Sequence, residues 1–118
     1  MQAASNDNSI VLIRAAPESD AGQRSLAKVV AILQQCSGRV VAFFHGDGVS
    51  HAAAPQCKAW KRLAEHEHRL VLEVCSASWQ RRHTGGPDAP FVCSSLVQFW
   101  HRASSGDLVL TVGAADEE

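Results

Sequence analysis

The chain has 118 residues, 46% hydrophobic and 19% charged, and its eleven Lys and Arg against twelve Asp and Glu leave a formal net charge of -1. That length is one domain, and the apolar content supports a core, which excludes disordered and collagen-like classes. The balanced charge shows neither a basic footprint for nucleic acid nor an acidic solvating tract.

Residues 1–8 are polar and lack the basic and apolar regions of a secretory signal, so this stretch and residues 114–118 read as loose tails flanking a single domain over 1–118. Residues 9–14 (SIVLIR) read as a buried strand. Residues 15–20 form a turn-rich break, and Asp20 with Gln23 has the form of a capping box. Leu26, Val29, Val30, Leu33 and Cys36 recur at helical spacing, with Gly38 as the stop. Residues 39–44 (RVVAFF) form a second strand, followed by the glycine-bracketed loop His45-Gly46-Asp47-Gly48. A helix opening near Pro55 carries Ala59, Trp60, Leu63 and Ala64 on one stripe. Residues 70–74 (LVLEV) form a third strand that ends at Cys75, residues 76–83 turn into a short helix, and Gly85-Gly86-Pro87 breaks it. Ser94 or Ser95 caps a helix through Leu96, Val97, Phe99 and Trp100, and residues 107–112 form a last strand. The longest apolar runs, such as residues 40–44, are far below the roughly 20 residues that span a bilayer.

Strands apolar on both faces and alternating with helices predict a three-layer α/β/α sandwich around a mainly parallel four- or five-stranded sheet. Such folds place their sites beyond the carboxyl ends of the strands. The loops at 15–20, 45–54 and 75–83 therefore matter most.

The four cysteines, Cys36, Cys57, Cys75 and Cys93, include no C-x-x-C pair, and with no export signal they read as reduced thiols in a cytoplasmic protein. Cys75 stands out because it follows a buried strand and precedes a helix start, where backbone N–H groups favour a thiolate. Arg81, Arg82 and His83 follow, with Arg82 about two helical turns on. Cys36 and Cys93 read as core, and Cys57 as a second thiol near a helix start. Trp60 and Trp100 read as core, whereas Trp79, beside Cys75 and the arginines, is expected at a partner surface. His45 is expected to line the strand-end site. His66 and His68, two apart, do not share a helical face. His45, His51 and Cys57 could meet on one loop as metal ligands, but no metal is expected. There is no phosphate loop, dinucleotide fingerprint or G-x-S-x-G elbow.

In order and spacing, these segments resemble the DsrE/TusD-like sulfur relay family, closest to the TusD/DsrE branch. The resemblance is carried by Ile10 to Ile13 with Asp20-Ala-Gly-Gln, by Phe43-Phe44-His45-Gly46-Asp47-Gly48-Val49, by Lys58-Ala59-Trp60 with Leu63, and by residues 70–74 leading into Cys75 with Arg81-Arg82 after it. It implies that Cys75 is the persulfide-carrying cysteine of a sulfurtransferase, taking sulfane sulfur from a donor protein and passing it to a partner cysteine. The pathway would be tRNA thiolation or dissimilatory sulfur oxidation. Arg81, Arg82 and His83 would then stabilise the anion and attract an acidic partner. No cofactor is implied. The partners would be donor and acceptor proteins with reactive cysteines, and related subunits in a hetero-hexamer or homo-oligomer; the near-neutral charge speaks against direct contact with nucleic acid. Two readings compete with the relay: a non-catalytic subunit or small-ligand-binding α/β module with a structural Cys75, and a metal-binding protein using His45, His51 and Cys57.

Overall fold

A computed structural model of the chain describes residues 8–104 and 108–112. Its strands are β1 (Ser9–Ile13), β2 (Val40–Phe44), β3 (Leu70–Cys75), β4 (Val92–Ser94) and β5 (Leu108–Val112). They form one sheet in the order β4-β3-β2-β1-β5, and every ladder is parallel. The helices are α1 (Asp20–Gln23), α2 (Ser25–Gln35), α3 (Cys57–His66), α4 (Ser76–Arg82) and α5 (Leu96–Ser104), with a 3-10 helix at Gly46–Ala52. No helix among the described residues is long and apolar enough to cross a membrane.

The apolar runs explain the sheet. All five residues of β2 are buried, because parallel strands covered on both faces have no wet side. Alternation sends Phe43 to one face, where it stacks on Phe99 of α5 at 5.2 Å, and Phe44 to the other, where it meets Trp60 of α3 edge-on at 5.0 Å. Such aromatic pairs add about 0.5–1.5 kcal/mol beyond their burial. The steps from β1 to β4 run one way across the sheet and put α1 to α4 on the Phe44 face. The return to β5 puts α5 alone on the Phe43 face, as right-handed crossovers require.

Several local expectations are corrected. Ser19, not Asp20, caps α1: its Oγ accepts the Gly22 N–H at 3.0 Å, and Asp20 is the first helical residue. The helix read as continuous is split at Arg24. Gly38 is not its stop, since Cys36 is already extended (φ -112°, ψ 152°). Arg69 secures the end instead: its guanidinium donates to the Leu33 carbonyl of the last turn at 2.6 Å and to the Gly38 carbonyl beyond it at 3.1 Å. Asn8, expected in a loose tail, accepts the Arg39 N–H at 2.9 Å. The rest of both tails lies outside the described residues, as does Asp107.

The segment read as a loop after β2 is the 3-10 helix, and it is held from below. A Cβ on Gly48 would overlap the Ile13 carbonyl, so only glycine permits this approach to the end of β1. Gly46 adopts φ 60° to enter the turn. Inside it, buried His51 donates from Nε2 to the Ala15 carbonyl at 3.1 Å and accepts the Trp60 indole N–H on Nδ1 at 3.2 Å. The Nδ1 acceptor bond needs the neutral ring, and burial outweighs the Ala15 bond to hold the His51 pKa below its usual value.

The unfolded chain therefore takes up this proton first as pH falls, so the stability that His51 contributes is full above about pH 6.5 and is lost as pH drops. Urea unfolding at pH 7.5 and 5.5 should show a loss that is smaller in His51→Gln; equal losses would contradict this. Trp60→Phe, which orphans Nδ1, should cost about 1–3 kcal/mol at neutral pH.

Candidate functional site at the carboxyl edge of the sheet

The ladder register assembles the site. Cys75 is the last residue of β3, pairs with Ser94 of β4, and takes the cap position of α4. Phe44 pairs with Val74, so the next residue of that strand, His45, still extended at φ -135° and ψ 151°, stands beside Cys75. Ile13 pairs with Phe44, so Arg14 stands beside His45. With neighbouring strands about 4.8 Å apart, Arg14, His45, Cys75 and Ser94 form one row roughly 14 Å long.

Next to the thiol on this row, the His45 pKa is lowered, first by burial and then by the positive charges of Arg14, Arg81 and Arg82. The imidazole is neutral at pH 7. A cleft of about 210 Å3 opens there between Leu12, Arg14, His45, Leu96 and Trp100. Leu96 and Trp100 come from α5, whose first turn is capped by Ser95 Oγ accepting the Gln98 N–H at 3.1 Å.

Helix α4 is fastened to the 3-10 helix along its length. Ser78 Oγ accepts the Gly46 N–H at 3.0 Å, Arg82 pairs with Asp47 at 3.1 Å, and Ser50 Oγ lies 3.2 Å from His83 Nε2. The His83 ring also stacks on Trp79 at 4.2 Å. The partly exposed ion pair is worth at most about 1 kcal/mol, so these contacts orient α4 more than they stabilise the fold.

The sequence model of the DsrE/DsrF-like family matches residues 7–112. The chain belongs to the DsrE/DsrF-like family. Its fold is similar to that of the ychN protein from E. coli, with a TM-score of 0.72 at 19% identity over 88% of this chain and 98% of that one. No curated protein matches the chain.

On this DsrE/DsrF-like frame, several site expectations change. Cys75 is only 4% exposed, flanked by Ser94 of β4 on one side and by the extended residue His45, which follows β2, on the other. Its sulfur makes no capping bond to the first-turn amides of α4. Arg82 and His83 are turned to Asp47 and Ser50 and are not folded back towards the sulfur. Arg81 is exposed.

Trp79, expected at a partner surface, is 5% exposed: its indole N–H donates to the Gly85 carbonyl at 2.7 Å and its ring closes one wall of a second cleft, with His83, Thr84 and Asp88 facing residues 52–54. Trp100, expected in the core, is 59% exposed on α5. Cys57 is buried, Cys93 is exposed on the edge strand, and Cys36 is partly buried; all four thiols are free.

The metal reading does not survive either. Both ring nitrogens of His51 are engaged, and no group of three or more metal-capable side chains occurs among the described residues. His45 keeps its expected place at the strand end. The sequence reading missed Arg14 and Leu96. The register of β1 against β2 would have found Arg14, one residue beyond the strand, but single-sequence patterning does not supply register.

Exposure orders the thiols. With a small neutral alkylating reagent, intact-mass peptide mapping should find Cys93 labelled first and Cys75 and Cys57 slowly, with Cys75 speeding up in sub-denaturing urea. Cys75 reacting as fast as Cys93 would contradict the burial described here.

Proposed function

We propose that this chain is a sulfur relay protein that carries sulfane sulfur as a persulfide on Cys75. The observation that carries the reading is the position of Cys75: the last residue of a buried parallel strand, at the entry to α4 and next to His45, within a DsrE/DsrF-like domain. In loading, the Cys75 thiolate attacks the terminal sulfur of a donor protein's persulfide; the donor S–S bond breaks and the donor thiolate leaves. In delivery, an acceptor cysteine thiolate attacks the outer sulfur of the Cys75 persulfide, and Cys75 leaves as thiolate. Neither step changes the overall oxidation level, and both depend on thiolate fraction, leaving group and access.

The chemistry needs no metal or organic cofactor. We place the protein in the reducing cytoplasm, with related family subunits or further copies of itself as its assembly partners. Its sulfur would go to tRNA thiolation or come from dissimilatory sulfur oxidation.

Burial favours one other reading, in which Cys75 is a structural core thiol of a silent subunit or small-ligand-binding module. Reduced protein incubated with polysulfide and weighed intact separates the two. The relay reading expects a gain of about one sulfur atom that is lost in Cys75→Ser and kept in Cys57→Ser and Cys93→Ser. No adduct at Cys75 would favour the structural thiol.

A further inference from the structure

The cleft beside His45 has two kinds of wall. Leu12 and Leu96 are partly buried against the core, and Trp100 stands on α5 with its ring edge against Phe99 at 5.1 Å, leaving more than half of the side chain exposed. Arg14 and His45 complete the lining. Arg82 is matched by Asp47, but among the described residues no carboxylate pairs with Arg14 or Arg81. At about 210 Å3 the cleft is smaller than the roughly 300–1,000 Å3 of pockets for cofactor-sized ligands, and it has room for a single side chain. An exposed Trp beside an unmatched Arg is the composition that dominates binding energy at protein interfaces.

We propose that this cleft seats the protein that exchanges sulfur with Cys75, and that it selects an acidic segment carrying one apolar side chain. That side chain lies between Leu12, Leu96 and Trp100, and a flanking carboxylate sits over Arg14 and His45. Charge complementarity argues for this occupant: a carboxylate there meets the positive charges of Arg14 and Arg81 that bear on His45. The cleft lies one strand from Cys75, so a cysteine near such a segment is delivered to the strand-end row. The role assigned to the cleft rests on the relay reading; the binding itself does not.

The test uses cysteine-free, end-blocked, fluorescein-labelled peptides, with binding read by anisotropy at low salt up to millimolar protein. One peptide has Leu between two Glu, a second replaces Glu by Lys, and a third replaces Leu by Ala. The first should bind, and the other two should bind about ten-fold more weakly or not at all. Arg14→Gln should weaken the first about ten-fold and flatten its salt dependence, as loss of an interfacial charge does. Trp100→Ala should also weaken it.

Equal binding of the Glu and Lys peptides, no binding of any peptide, or unchanged affinity in Arg14→Gln would overturn the proposal. So would a Trp100→Ala variant that dissociates a self-associated form in light scattering while peptide affinity stays the same, which would assign the cleft to a second copy of the chain. Because the peptides carry no thiol, binding without sulfur loading would sink the relay and leave the docking site. Loading without binding would do the reverse.

Discussion

Parallel register is the constraint on which this site depends. Three consecutive ladders, β1 with β2, β2 with β3 and β3 with β4, fix the order Arg14, His45, Cys75 and Ser94 across the carboxyl edge. Slipping one ladder by a residue would send each side chain of the moved strand to the opposite face of the sheet. The sheet resists such a slip because its faces are dissimilar: Phe43 stacks on Phe99, while Phe44 packs against Trp60 and His51. The chemistry proposed for Cys75 is thus positioned by core packing some distance below it.

The same packing shelters the sulfur. A relay through Cys75 requires an opening, and the weakest boundary of the site is β4, a three-residue edge strand whose Val92 and Cys93 are exposed. Small edge elements open at lower free energy than the central sheet. An opening that costs about 2.8 kcal/mol leaves roughly one molecule in a hundred reactive at rest. Such gating is compatible with exchange in a docked complex and protects a persulfide from stray thiols and oxidants between encounters. On the other side of Cys75, α4 is fastened through Ser78, Arg82 and His83.

Much of this was legible in the residues, and the failures have physical causes. β1, β2 and β3 are apolar on both faces and announce themselves. The edge strand β4 is short and half exposed, so Val92-Cys93-Ser94 carries no pattern. Gly46 and Gly48 suggest a loop, although one serves a left-handed turn and the other a close approach to Ile13 inside a 3-10 helix. Trp79 and Trp100 were assigned to the wrong sides of the surface because the face a short helix presents depends on its rotation against the sheet. The strand-end positions of Cys75 and His45 are legible in the sequence. Their adjacency, and the place of Arg14 beside them, needed the register.

Adjacency of Cys75 and His45 is the central claim, and the imidazole reports on it directly. The ring titration of His45 can be followed by NMR with Cys75 reduced and then persulfidated. A persulfide ionises more readily than a thiol, and an anion one strand away favours the charged imidazolium. The His45 midpoint, held low by burial and its arginine neighbours, should rise when sulfur is loaded. Identical His45 midpoints in the two forms would contradict the arrangement.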